Sequence, residues 1–200
     1  MKTGIILARL QPIHNGHLEL IKKAHSENDQ VYVFIGSADK FNKRNPIPIS
    51  TRLELTKTSI AQEFSGINYE KMEDIEGALA SMRIYVVPLD DLDDESNNSH
   101  EWGFYLYSKI VSATKEPNFT IYYSDGFEII TTWFPGFILR NNVSLSLLAR
   151  NSVENGISAT SVRKMIMEND DENLKKVVPN CVFNRREHLR TLIELSEKIH

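Results

Sequence analysis

The 200-residue sequence predicts an α/β fold, a doubly wound parallel sheet with a helical C-terminal extension. Two observations carry this prediction. Short apolar runs, typical of strands buried on both faces, recur along the chain, and segments with helical spacing separate them. The first strand, loop, helix and strand all fall within residues 5–35. This spacing indicates a βαβ unit with a right-handed crossover.

Five strands are expected, each an apolar or β-branched run that ends at a polar, glycine or proline residue. In chain order they are Ile5–Ala8, Val31–Ile35, Ile84–Val87, Phe119–Tyr123 and Val143–Leu148.

Helices are expected between and after the strands. Residues Thr51–Glu54 fit a capping box at the start of one of them, and Pro135-Gly136 bounds a short one. The segments are His17–Ala24, Thr51–Phe64, Trp102–Val111, Phe127–Phe134 and Ser158–Glu168, followed by a mostly helical stretch to His200 that breaks at Pro179. We expect one domain over residues 1–180, with residues 181–200 as a C-terminal helix packed on it.

The composition is typical of a globular protein, with 41% hydrophobic and 25% charged residues. A formal net charge of −4 argues against nucleic acid as a partner, because proteins that bind phosphate backbones usually carry a basic surplus. Cys181 is the only cysteine, so no internal disulfide can form. Residues Met1–Leu10 lack the features of a secretory signal, and no stretch approaches the roughly 20 apolar residues of a membrane span. We therefore expect a cytoplasmic protein that binds neither nucleic acid nor membrane.

Ligands of such sheets bind at the carboxyl ends of the strands, which directs attention to the loops that follow them. One of these loops contains the acidic run Asp90–Glu95, which we interpret as a solvated loop rather than a metal site. The loops are Arg9–Gly16, Gly36–Ile49, Leu89–Trp102, Ser124–Phe127 and Arg150–Ser158.

The first loop ends in His14-Asn15-Gly16-His17 at the start of a helix. The amides of a helix N-terminus attract phosphate, and glycine lets the main chain approach a ligand closely. Two imidazoles in the same pocket can donate hydrogen bonds to phosphate oxygens, and Arg9 adds a fixed positive charge. Each histidine also has a simpler interpretation, as a loop residue without a role or as a helix cap. A zinc site is a weaker alternative because the sequence offers no well-placed third ligand.

The second segment, Ile157–Arg163, opens a later helix with hydroxyl residues. Such residues cap free amides or donate to phosphates, and Arg163 in the first turns can reach the same anion. Alone, the pattern also fits an ordinary capped helix with a solvated arginine. On the same side of the sheet as the two histidines, it predicts a shared phosphate site.

Together, the two segments resemble the HxGH and ISxTxxR signatures of the nucleotidylyltransferase superfamily, which implies a Rossmann-like nucleotidyltransferase fold. The chain is most similar to the archaeal-type nicotinamide-mononucleotide adenylyltransferases, and the similarity covers about residues 3–180. Further matches are Ala8–His17, Gly36-Ser37-Ala38, Arg44-Asn45-Pro46, Ser50-Thr51-Arg52, and Pro88–Asp91 followed by Trp102.

The sequence also departs from this family pattern. Ala8 replaces a glycine, Leu10 replaces an aromatic residue or methionine, and Asp125-Gly126 stands where the family has Gly-Asn. The loop before Trp102 is longer and acidic, and residues 65–82 look like an insertion. These changes affect the acceptor side more than the ATP side.

The resemblance implies transfer of the adenylyl group of ATP to nicotinamide mononucleotide, with Mg²⁺ held by the phosphates rather than by protein side chains. The catalytic residues would be His14, His17, Arg163 and Arg9. Contacts to ATP would come from Ala8, Arg9, Leu10, His14, Gly16, His17, Ser124, Gly126, Ile157, Ser158, Thr160, Ser161 and Arg163.

The acceptor would be bound by Ser37, Arg44, Asn45, Arg52, Asp91 and Trp102. Trp102 would stack on the pyridine ring, although core packing explains a tryptophan equally well. The alternatives are another phosphate acceptor, such as nicotinate mononucleotide, phosphopantetheine or a polyol phosphate, or a nucleotide sensor without turnover. The family often forms homo-oligomers, and we carry that expectation to this chain.

Overall fold

The computed structural model of the protein describes residues 1–92, 100–124, 128–149 and 157–199. Within these residues, five parallel strands form one sheet in the order β3-β2-β1-β4-β5. The strands are β1 (Thr3–Ala8), β2 (Gln30–Ile35), β3 (Ile84–Pro88), β4 (Phe119–Ser124) and β5 (Val143–Leu148). All five predicted strands are present, and the predicted α/β fold is confirmed.

Helices cover both faces of the sheet. They are α1 (Asn15–Glu27), α2 (Ile49–Ser65), α3 (Met72–Ser81), α4 (His100–Thr114), α5 (Gly136–Asn141), α6 (Ala159–Glu168), α7 (Asp171–Val177), α8 (Asn180–Asn184) and α9 (Arg186–Ser196).

Four details of the helix prediction were wrong. Helix α2 begins at Ile49 after Pro48, so Thr51 lies inside its first turn and forms no capping box. The expected helix at Phe127–Phe134 is a 3₁₀ turn over Glu128–Thr132, and the C-terminal residues form two helices instead of one. The short helices α3 and α5 were not predicted. Helix α3 places only Ile75 and Leu79 in the core, a pair too sparse to signal a helix by periodicity.

Two apolar cores, one on each face, hold these layers together. Neighbouring residues of β1 point to opposite faces, so Ile6 belongs to the core with α1, α2, α6 and α9, and Ile5 to the core with α4 and α5. Both side chains are fully buried. Strand β1 is the central strand of the sheet, and its alternating side chains give it apolar packing on both faces.

The strand order reverses between β1 and β4, which creates a crevice at their carboxyl ends. The chain turns sharply where it leaves β1 and where it leaves β2. Leu10 (φ 50°) and Ser37 (φ 51°) each lie two residues beyond a strand, β1 and β2, and both have left-handed backbone geometry. In the part of the chain that the structure describes, no helix is long and apolar enough to span a bilayer.

Candidate active site

A cavity of about 450 Å³ opens at this reversal point. Its walls come from the segments after β1, β2 and β4 and from the start of α6. Twelve of the residues that the sequence singled out line it: Ala8, Arg9, Leu10, His17, Ser37, Arg44, Asn45, Asp91, Trp102, Ser124, Thr160 and Arg163.

The two motif histidines have different positions. His14, predicted to contact ATP, precedes α1 as its N-cap residue, is 5% exposed and is not among the residues that line the cavity. His17 lies in the first turn of α1 and lines the cavity. The ring centroids are 3.8 Å apart. The backbone N–H of His14 donates to Nδ1 of His17 over 3.3 Å. Because Nδ1 accepts this bond, the ring proton of His17 sits on Nε2, which makes Nε2 a hydrogen-bond donor.

Arg163 connects the two motifs directly. Its NH1 group donates to the backbone oxygen of Gln11 over 2.9 Å, and NH2 donates to Oγ1 of Thr160 over 3.3 Å. Burial lowers the pKa of Arg163, and the positive charge of Arg9 lowers it further. Two guanidinium groups held near each other repel, and an anion between them would remove that repulsion. This part of the cavity therefore suits phosphate.

The polar residues at the start of α6 have two different roles, since some cap the helix and one lines the cavity. Ser158 Oγ accepts from the N–H of Ser161, and Ser161 Oγ accepts from the N–H of Ser158, each over 3.0 Å. These two hydroxyls form a capping box, while Ala159 and Thr160 line the cavity. The sequence predicted phosphate contacts for both serines, and the structure instead assigns them to the helix cap.

Three other predicted ATP contacts lie away from the cavity wall or outside the described residues. Ile157 is half-buried and packs against the apolar core that contains α6. Gly16 lies in the first turn of α1 and is not among the residues that line the cavity. Gly126 falls outside the residues that the structure describes.

Arg52 has a structural role that the sequence did not indicate. It is 1% exposed, and its guanidinium donates to the backbone oxygens of Arg9, Gly36 and Ser37 over 2.9, 2.7 and 2.8 Å. It does not line the cavity. Burial and the charge of Arg9 lower its pKa to about 10, so it remains charged near neutral pH. The predicted contact with the acceptor is thus replaced by a brace between the ends of β1 and β2.

Replacing Arg52 with lysine tests this brace. Lysine keeps the charge but lacks the planar set of donors that serves three carbonyl groups. We expect Arg52→Lys to lower the free energy of unfolding by about 2 kcal/mol, since buried acceptors lose their donors. Urea unfolding measures the change, with exposed Arg83→Lys as the matched control. Equal stability of the two variants would contradict the structural role.

Two tryptophans form part of the cavity wall. Trp102 on α4 is 3% exposed, and its ring meets that of Trp133 edge to face at 6.0 Å. Both line the cavity. Trp102 therefore belongs to the core and to the cavity wall at once. Its core packing is confirmed, and stacking on a pyridine ring stays a prediction.

A polar network also borders the cavity. Ser37 Oγ donates to Oδ1 of Asp91 over 3.1 Å, and the N–H of Asp91 donates to Oδ1 of Asp39 over 3.0 Å. Asp91 is the one carboxylate among the described residues that line the cavity. Its backbone and its side chain are thus both held in place.

The loop after β2 brings Arg44 and Asn45 to the cavity. The backbone N–H groups of both residues donate to Oδ1 of Asn42 over 3.1 and 2.9 Å, which fixes a tight turn. Arg44 is exposed, and Asn45 is buried.

Sequence reasoning assigned no role to Gln11 or Trp133, although both line the cavity. Gln11 Oε1 accepts from the N–H of Ile47 over 2.9 Å, and its Nε2 has no hydrogen-bond partner among the described residues. The sequence signal for Gln11 was its place between Arg9 and His14. No comparable signal marks Trp133, because it reaches the site from a loop beyond the 3₁₀ turn.

In the described portion of the chain, no three histidine, cysteine, aspartate or glutamate side chains gather closely enough to hold a metal ion. The donor set at the cavity is instead dominated by arginine, imidazole and amide groups.

This fold, with two motifs that meet at a cationic cavity on its reversal point, defines a nucleotidyltransferase. The chain belongs to the cytidylyltransferase-like family, whose model matches residues 7–165.

Two archaeal proteins are similar along most of their length. The chain is 26% identical over 210 aligned positions to the nicotinamide-nucleotide adenylyltransferase of Thermococcus kodakarensis. The alignment covers 99% of this chain and 94% of that protein. It is 29% identical to the enzyme of the same name from Methanococcus aeolicus, in an alignment that covers 90% of this chain and 86% of that protein. These findings confirm the resemblance inferred from the motifs.

Solved structures share the fold at lower identity. A bifunctional NMN adenylyltransferase/ADP ribose pyrophosphatase from Francisella tularensis matches with a TM-score of 0.60 and 17% identity, over 84% of this chain and 42% of that one. The nicotinic acid mononucleotide adenylyltransferase of Plasmodium falciparum, complexed with NaAD, matches with a TM-score of 0.58 and 15% identity, over 97% and 98% of the two chains.

Proposed function

We propose that this protein transfers the adenylyl group of ATP to nicotinamide mononucleotide, giving NAD and pyrophosphate. The observation that carries the proposal is the convergence of His17, Arg163 and Arg9 on one cavity that Trp102 and Trp133 also line. Archaeal relatives that align with nearly the whole chain bear the name of this activity.

The reaction is an in-line displacement at phosphorus. An oxygen of the acceptor's phosphate forms a bond to the α-phosphorus of ATP, and the bond from that phosphorus to the bridging oxygen breaks. The electron pair leaves with pyrophosphate. The nucleophile is already an anion near neutral pH, because the second pKa of a phosphate monoester is about 6. Catalysis therefore needs position and charge stabilisation more than a strong base.

The cavity residues supply that stabilisation. His17 donates from Nε2 to an oxygen on the α-phosphate, where negative charge develops. Arg163 and the N-terminus of α6 hold the β- and γ-phosphates as they depart, with the helix dipole favouring the anion. Arg9 neutralises charge near the transfer point.

A bound Mg²⁺ ion would neutralise charge on the triphosphate oxygens. Asp91 is the only acidic residue among the described cavity residues, and it already accepts a hydrogen bond from Ser37. We therefore expect phosphate oxygens and water, rather than a carboxylate cage, to hold the ion.

The acceptor's pyridine ring fits the aromatic wall, since flat rings pack well on the faces or edges of Trp102 and Trp133. Asp91 lies on the same cavity and presents negative charge. A neutral carboxamide is compatible with this charge, whereas the carboxylate of nicotinate is repelled by it.

Pyrophosphate release from ATP and Mg²⁺ with each acceptor tests the proposal. We expect turnover with nicotinamide mononucleotide to exceed that with nicotinate mononucleotide by at least about tenfold in kcat/KM, equivalent to about 1.4 kcal/mol. The variant Asp91→Asn, which keeps an acceptor for Ser37, should narrow this preference. Pyrophosphate release that occurs only when phosphopantetheine is the acceptor, or that occurs without any acceptor, would contradict the proposed function.

A further inference from the structure

The C-terminal segment, residues 171–196 (helices α7, α8 and α9), lies beyond the residues that the family model matches. It packs on α6 through both α7 and α9. The mechanism described above uses none of its side chains. Two of its contacts nevertheless reach the phosphate-binding motifs, one contact to each motif.

The first contact ends on α6. Arg190 donates from Nε and NH2 to the backbone oxygen of Ile166 over 3.0 and 2.8 Å. Ile166 is among the last four residues of α6, whose carbonyl groups have no partner inside the helix. The third nitrogen, NH1, donates to Glu187 over 2.8 Å, which fixes the guanidinium from its own helix. The planar group therefore ties the C-terminal end of α6 to α9.

Apolar packing surrounds this contact. Leu189 and Ile193, on either side of Arg190 along α9, are buried in the same core as Val162 and Ile166. Val162 immediately precedes Arg163 in the chain. A shift of α6 against α9 would therefore move the cavity arginine directly.

The second contact ends on the first motif. Asn15, the residue between His14 and Gly16, donates from Nδ2 to the backbone oxygen of Lys176 over 3.2 Å. Lys176 lies in the last turn of α7, so this bond also satisfies a carbonyl group at a helix end. One segment thus holds both motifs.

We infer that the C-terminal segment sets the spacing between His17 and Arg163, and that Arg190 is the positioning residue for the second of them. The inference rests on the proposed adenylyl transfer. Arg190 touches no substrate and acts through α6. Its loss leaves the ATP-binding groups present but misaligned with the departing pyrophosphate, and such misalignment affects the transition state more than the ground state.

Steady-state pyrophosphate release by Arg190→Gln tests the inference. We expect kcat to fall about 10- to 100-fold while KM for ATP changes less than about threefold, as for an interaction made in the transition state. Arg190→Lys, which can still donate to the Ile166 oxygen, should recover part of the rate. Arg185→Gln is the matched control, because Arg185 pairs with Glu54 on α2 and not with α6.

Hydrogen exchange of the α6 amides gives a second measurement that does not need turnover. Exchange over residues 159–168 should become faster in Arg190→Gln and stay unchanged in Arg185→Gln. A kcat for Arg190→Gln within twofold of the unmodified protein, or unchanged exchange, would overturn the inference. If the unmodified protein released no pyrophosphate, the proposed function would fail, and the exchange result would decide the positioning role by itself.

Discussion

Replacing His17 by alanine should lower kcat about 100- to 1,000-fold, the usual loss for one donor that stabilises developing charge on oxygen. ATP affinity should change less than about threefold. This is the largest effect on activity that we expect from a single substitution. Single-turnover kinetics and equilibrium binding of a non-hydrolysable ATP analogue would separate the two quantities.

The expected loss of rate follows from the position of the ring proton on His17. The backbone N–H of His14 occupies Nδ1 of His17, so Nε2 is the donor. In the proposed ground state the triphosphate would also contact Arg163, Arg9 and the start of α6, so we expect these groups to retain ATP in the absence of the imidazole. Only the transition state places extra charge on the oxygens of the α-phosphate, where His17 donates.

Two further variants show whether the loss is chemical or structural. His17→Gln keeps a side chain that can bond the N-cap backbone, as glutamine does at this position of a capping box. It should preserve stability and still lose most of the rate. His188→Ala, at an exposed position on α9, should behave like the unmodified protein. A His17→Ala rate within twofold of the unmodified enzyme would refute the mechanism.

Gly103→Ala should be the most destabilising small substitution in the described chain. A Cβ at this position of α4 would lie 1.9 Å from the backbone oxygen of Trp133 and 2.6 Å from its carbonyl carbon. Backbone cannot move aside as a flexible side chain can, so α4 and the Trp133 segment must separate. Overpacking usually costs about 1–3 kcal/mol, and a contact this short belongs at or above the upper end.

Gly77→Ala provides the control for this substitution. Gly77 lies in the exposed part of α3, and a Cβ there meets no atom within 4 Å. Alanine should stabilise this helix by about 0.5–1 kcal/mol, because glycine loses more conformational freedom on folding. Urea unfolding of the two variants should therefore give changes of opposite sign. A change below 1 kcal/mol in Gly103→Ala would show that the two segments are not in contact.

The fold and the meeting of the two motifs at one cavity were accessible from sequence, because local patterns encode them. Strand β1 is a short apolar run, and His17 and Arg163 each occur in a motif at a helix start. Parallel strands bring such motifs to the same edge of the sheet, so their meeting follows from topology.

The remaining assignments depend on contacts between distant segments, which no local pattern encodes. The resemblance assigned Arg52 to acceptor binding, and only the fold places its guanidinium against the backbone oxygens that follow β1 and β2. Ser158 and Ser161 match a phosphate-binding motif and a capping box equally well, and geometry decides between these roles. Trp133 enters the site from a part of the chain whose sequence indicated only a short helix.

The tryptophans have a further consequence for experiment. The chain contains only two, and both Trp102 and Trp133 line the cavity. All of its indole fluorescence therefore originates at the proposed acceptor site. Quenching of this emission by an arriving pyridine ring would report acceptor occupancy in real time, without a label. The proposed triphosphate site is lined by arginine side chains, which do not emit. The native protein thus contains its own optical probe for the order in which the two substrates bind.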